Sequence, residues 1–104
     1  MKIQIYYFDG CTSYEMALQQ LKQVMKEEGI EEEVELIQVS TDEEVKQYRF
    51  LGSPTLHING KDMDKEAFLR RDYQMKCRLY WTEIGHRAIP SEEMMQEALR
   101  GAKK

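Results

Sequence analysis

The chain reads as an α/β domain in the order β-α-β-α-β-β-α, a mixed sheet of about four strands with helices on both faces. Three observations predict it. An apolar opening segment ends at the turn dipeptide Asp9-Gly10 and is followed by a long amphipathic helix and a second apolar run, the pattern of a βαβ unit. Thr55-Leu56-His57-Ile58 runs into Asn59-Gly60, the strongest short-range hairpin signal. A length of 104 residues, 41% of them hydrophobic, suits one domain over residues 1–104 with a single modest core.

The elements follow in order. Lys2 to Phe8 alternates and then becomes continuously apolar at Tyr6, Tyr7 and Phe8, as a buried strand does. Tyr14, Ala17, Leu18, Leu21, Val24 and Met25 repeat at three-and-four spacing and define one helix face. Thr12 and Glu15 have capping-box spacing before that helix, and Gly29 suits its end. Val34 to Val39 is a second strand that can be buried, parallel to the first through a right-handed crossover. Ser40-Thr41-Asp42 then introduces a short helix around Glu43 to Tyr48. After the Thr55 to Ile58 strand, antiparallel to the first, Lys61 to Lys76 forms a charged excursion with a helical turn at Lys65 to Arg70. Cys77 to Thr82, where Leu79 and Trp81 alternate with Arg78, Tyr80 and Thr82, reads as another strand. Ser91 caps a last helix with Met94, Met95, Ala98 and Leu99 on one face.

Composition narrows the function classes. Fifteen basic against nineteen acidic residues give a net charge of −4, so the counterion-release term that drives nucleic-acid binding is missing. No run has the length of a membrane span, and Met1 to Phe8 is too short an apolar stretch for a secretory signal, so no membrane partner is expected and the cytoplasm is the expected compartment. Two cysteines are too few for a disulfide scaffold; Cys11 and Cys77 are either chemistry or core.

Cys11 lies at the start of the crossover helix, where unpaired N–H groups and the helix dipole favour the thiolate, while Asp9 and Glu15 oppose it. On that basis Cys11 is expected to react faster than Cys77, which a strand interior would shield. Cys77 can meet Cys11 only if the excursion folds over the Cys11 end of the sheet. Tyr14 either covers the thiol or opens the apolar helix face. His57 and His86 are weak candidates for a base, and the seven methionines show no copper-binding cluster.

At Asp9-Gly10-Cys11-Thr12-Ser13-Tyr14, Gly52-Ser53-Pro54-Thr55 and Asn59-Gly60 the chain resembles the thioredoxin-like superfamily, glutaredoxins in particular. The resemblance implies a cis peptide at Ser53-Pro54, a catalytic Cys11, and substrate contacts from Tyr14, Ser53, Pro54 and Thr55, with the residue before the proline pairing with substrate backbone. The family's C-x-x-C is Cys11-Thr12-Ser13-Tyr14 here, so tyrosine replaces the resolving cysteine. The stretch with Asp72-Tyr73, Cys77-Arg78-Leu79-Tyr80 and Pro90 looks like a group of short bacterial and archaeal thioredoxin-like proteins, some loosely labelled as resembling organomercurial lyases.

Three functions follow from these residues. The first is a thiol–disulfide oxidoreductase acting through Cys11 on a disulfide or small thiol, released by glutathione as co-substrate or by Cys77. Arg49, Lys61, Arg70 and Arg71 are then the candidates for a glutathione pocket, and no resident cofactor or metal is expected. The second is a soft-metal or organomercurial site using Cys11 and Cys77, with Asp9 or Asp72 as proton donor. The third is a binding module that offers the Ser53-Pro54 edge to a protein partner.

Overall fold

The computed structural model describes residues 1–103. A four-stranded mixed sheet runs in the order β2-β1-β3-β4, built from β1 (Ile3–Tyr7), β2 (Val34–Gln38), β3 (Thr55–Ile58) and β4 (Lys61–Asp62). β1 is parallel to β2, with Ile5 opposite Leu36, and antiparallel to β3, with Ile5 opposite Leu56. Three helices complete the architecture: α1 (Ser13–Glu27), α2 (Asp42–Gln47) and α3 (Glu92–Ala102).

The period-two alternation of β1 divides the core between two faces. Ile3 and Ile5 join Leu56 and Ile58 of β3 beneath α1 and α3, where Ala17, Leu21, Val24, Met95 and Leu99 are buried. Tyr6 points the other way and packs with Val39, Val45 and Phe50 on the α2 side. Ser91 caps α3 by accepting from the Met94 N–H at 3.1 Å.

Four expectations need correction. The capping box belongs to α2, where Thr41 and Glu44 exchange hydrogen bonds, and not to α1: Thr12 makes no side-chain cap. β2 is an edge strand rather than a buried one, with Leu36 exposed. The fourth strand of the sheet is not Cys77 to Thr82 but the two residues after the hairpin turn, where Asn59 (φ 53°) and Gly60 (φ 81°) adopt the paired positive angles of a tight hairpin. Tyr80 to Thr82 instead forms β5 (Tyr80–Thr82), which pairs with β6 (Gly85–Arg87) in a separate two-stranded sheet. The helical turn of the excursion is short, a 3₁₀ turn over Ala67–Leu69.

The alternation from Arg78 to Thr82 is present with its faces inverted. Arg78, Tyr80 and Thr82 are buried, whereas Leu79 is exposed and Trp81 is 72% exposed. Polar groups lie inside on specific partners: Arg78 pairs with Asp62 through its terminal nitrogens, although its Nε is buried without a partner, the Tyr80 hydroxyl donates to the Pro54 carbonyl, and Thr82 Oγ1 donates to the Gly85 carbonyl.

Candidate thiol pair

Cys11 follows β1 and precedes the first residue of α1, and its N–H donates to the Phe8 carbonyl at 3.2 Å. The side chain is 4% exposed, with its sulfur 3.6 Å from the Ser53 carbonyl and 3.8 Å from Ser13 Oγ. The Ser13 amide, one of the unpaired N–H groups of the first turn of α1, favours the Cys11 thiolate.

The other wall of the site is the Gly52-Ser53-Pro54-Thr55 loop, in which the Ser53-Pro54 peptide is cis. Lys76 to Arg78 lies along this loop as a strand would. The Ser53 N–H donates to the Lys76 carbonyl at 2.7 Å and the Arg78 N–H donates to the Ser53 carbonyl at 3.0 Å, a parallel bridge that sets Cys77 opposite Ser53. Gly52 makes the approach feasible: at φ 122° it adopts a conformation side chains rarely take, and a Cβ there would sit 2.8 Å from Arg78 Cβ and 3.0 Å from the Lys76 carbonyl.

The excursion therefore does fold over the Cys11 end of the sheet, and the two thiols meet. Burial disfavours a Cys11 thiolate, but the hydrogen bond from Cys77 opposes it, and the amide and hydroxyl of Ser13 and the side chain of Ser53 add to that opposition. The net effect holds Cys11 below the ordinary thiol value. Cys77 moves the other way: its hydrogen bond to Cys11 favours the protonated form and raises its pKa, with burial and the negative charge of Cys11 adding to the effect. The two shifts run in opposite directions, so Cys11 is the more acidic thiol of the pair. Both cysteines are reduced.

What holds Cys77 there is its neighbour Arg78, 1% exposed, a residue that sequence reasoning passed over as the polar side of a strand. Its guanidinium makes two hydrogen bonds to Asp62, at 2.8 and 3.0 Å, lies 3.7 Å from Asp64, reaches Thr55 Oγ1 at 3.3 Å and stacks 4.2 Å above the Tyr80 ring. A signal existed: Asp62 and Asp64, two carboxylates one strand pitch apart behind the hairpin turn, need a cation.

Several expected roles change. Cys77 is exposed, not shielded by a strand, whereas Cys11 is buried, so the access argument for faster labelling of Cys11 is reversed. The backbone of Ser53 is fully occupied by the chain's own Lys76 and Arg78, and Ser53, Pro54 and Thr55 are all buried; this edge presents no free backbone groups to a partner. Tyr14 stacks on Tyr7, with ring centroids 4.0 Å apart, and packs against the main core as the opening residue of the apolar helix face. Asp72 accepts from Arg70 and Lys76 at 2.7 to 2.9 Å, and those hydrogen bonds hold its carboxyl far below the usual range, which removes it as a proton donor.

The remaining candidates lie elsewhere. Arg49, Lys61 and Arg71 border a groove of about 1030 Å³ that contains neither cysteine, and Arg70 is held by Asp72, so no basic pocket surrounds the thiols. His57 is buried against Tyr6, and desolvation lowers its pKa. His86 packs edge-on to Trp81. Among the described residues there is no group of three or more His, Cys, Asp or Glu side chains placed to hold a metal, and no helix is long and apolar enough to cross a membrane. Compared with known proteins, the chain matches no family model, no curated protein and no solved structure.

Proposed function

We propose that the chain is a thiol–disulfide oxidoreductase on a thioredoxin-like, glutaredoxin-type fold, with Cys11 and Cys77 as its dithiol pair. The observation that carries the reading is the parallel bridge that seats Cys77 opposite Ser53, whose carbonyl lies 3.6 Å from the Cys11 sulfur. A cysteine distant in sequence then does what the missing C-x-x-C partner at Tyr14 cannot. The pair reduces a disulfide RS–SR by two electrons: the protein forms one S–S bond, the substrate's S–S bond breaks, and the two sulfurs leave as RSH and RS⁻ when the pair starts with Cys11 ionised and one proton on Cys77. A lowered pKa raises the thiolate fraction of Cys11, and the thiolate is the form that exchange requires.

The soft-metal or organomercurial reading shares both sulfurs. It also needs an acid to protonate the departing carbon; the ionised Asp72 does not supply one, which leaves Asp9 for that role.

Disulfide reduction by the native chain, Cys11→Ser and Cys77→Ser, each with and without glutathione, tests the proposal. Without glutathione the native chain should reduce one equivalent of disulfide and end as the Cys11–Cys77 disulfide, which neither variant can form, and with glutathione as reductant the native chain should turn over. Folded protein that neither forms a Cys11–Cys77 disulfide on mild oxidation nor reduces any disulfide would overturn it.

A further inference from the structure

We infer, resting on the dithiol reading above, that Cys77 and not Cys11 exchanges with the outside, and that its substrate is a low-molecular-weight disulfide rather than a protein strand. Two independent observations point this way. Cys11 is 4% exposed, whereas Cys77 is exposed. Exchange requires an in-line approach to sulfur, which only Cys77 offers. Secondly, an extended peptide would bind this edge through the Ser53 N–H and carbonyl, and both are already bonded to Lys76 and Arg78. The chain occupies its own peptide-binding position, and what remains accessible is one sulfur with no strand edge beside it.

The reaction balances with the groups present. Cys77 gives its proton to the Cys11 thiolate and attacks RS–SR, forming a Cys77–S–S–R bond and releasing RS⁻, which takes the proton back from Cys11. The Cys11 thiolate then attacks the Cys77 sulfur, forming the Cys11–Cys77 disulfide and breaking the Cys77–SR bond, and the second RS⁻ leaves. The substrate has gained two electrons and the dithiol has lost two. In the reverse direction an incoming thiol attacks the exposed Cys77 sulfur and expels Cys11, the better leaving group because its thiolate is hydrogen-bonded.

Oxidised glutathione is the probe. Reduced native chain, Cys11→Ser and Cys77→Ser are each mixed with it, and the adduct is located by peptide mass spectrometry, with circular dichroism confirming the fold of both variants. Cys11→Ser should accumulate glutathione on Cys77, and Cys77→Ser should take it up on Cys11 at least about tenfold more slowly, since burial blocks the attack. Equal or faster addition at Cys11 would overturn the order of exchange while leaving the dithiol reading intact, provided the native chain still forms its internal disulfide. A native chain that forms neither adduct nor internal disulfide would overturn the dithiol reading itself. A disulfide-linked extended peptide offered to the native chain should be reduced at least about tenfold more slowly than oxidised glutathione; parity would overturn the small-substrate assignment.

Discussion

Cys11 and Cys77 face each other from regions held together by different physics. Cys11 stands between β1 and α1, whose Ile3, Ile5, Ala17 and Leu21 are all buried in the main core. Cys77 stands in the irregular stretch between the 3₁₀ turn and β5, whose local apolar residues Leu69, Met75 and Leu79 are exposed. One wall is held by hydrophobic packing of regular elements, the other by one buried guanidinium, two carboxylates, and backbone bonds to Ser53. The contrast teaches that the thiol pair can be separated without unfolding the domain, because one of its walls does not belong to the core.

Breaking the packed wall should have the largest effect. Leu21→Ala removes a fully buried side chain beneath the sheet and should cost about 3 to 4 kcal/mol, lowering the urea midpoint of the whole domain. Arg78→Met attacks the other wall. It leaves Asp62 and Asp64 without their cation, and since both carboxylates reach water the cost should be smaller, about 2 to 3 kcal/mol. The diagnostic difference lies in the chemistry: Arg78→Met should keep its helical circular dichroism at low temperature yet lose most of the Cys11–Cys77 disulfide formed on mild oxidation. If Arg78→Met forms that disulfide as readily as the native chain, the guanidinium does not position Cys77 and the two walls are not independent.

The same division decides what could be read from sequence. β1, α1, β3 and α3 announce themselves by apolar periodicity, and the parallel and antiparallel pairings follow from chain order and from Asn59-Gly60. The Lys61 to Thr82 region has no such periodicity to read. Its burial pattern inverts hydropathy because Arg78 and Tyr80 are paid for by long-range partners, Asp62 and the Pro54 carbonyl, which no local window contains. Cys11 was legible from its place at a helix start. The meeting with Cys77 was not, since it depends on a backbone bridge between residues 53 and 77. The misplaced capping box has a similar cause: Thr12-x-x-Glu15 and Thr41-x-x-Glu44 have equal spacing, but Thr12 has φ −97° and ψ 0°, whereas Thr41 has the extended backbone that turns its hydroxyl toward the Glu44 amide.

The smallest expected effect sharpens the comparison at the thiols themselves. Cys77 is the largest influence opposing the burial penalty on Cys11, so in Cys77→Ala the pH at which Cys11 becomes half ionised should rise toward or past the ordinary thiol value. Cys77→Ser keeps a hydroxyl donor and should move it less. Thiolate absorbance against pH, read in both variants and in the native chain, measures this. Stability should follow with opposite signs for the two residues. Cys11, with its folded pKa lowered, adds stability that is fully present above the unfolded thiol pKa and is lost as pH falls through the folded value. Cys77, with its folded pKa raised, adds stability that is present below the unfolded value and is lost as pH rises through the folded one. Native stability should therefore climb with pH between the folded Cys11 pKa and the ordinary thiol value and decline above it, and in Cys77→Ala the climb should flatten. An ionisation curve for Cys11 that is unchanged in Cys77→Ala would mean the two sulfurs do not share a proton in solution, and that the core-packed wall alone sets the character of Cys11.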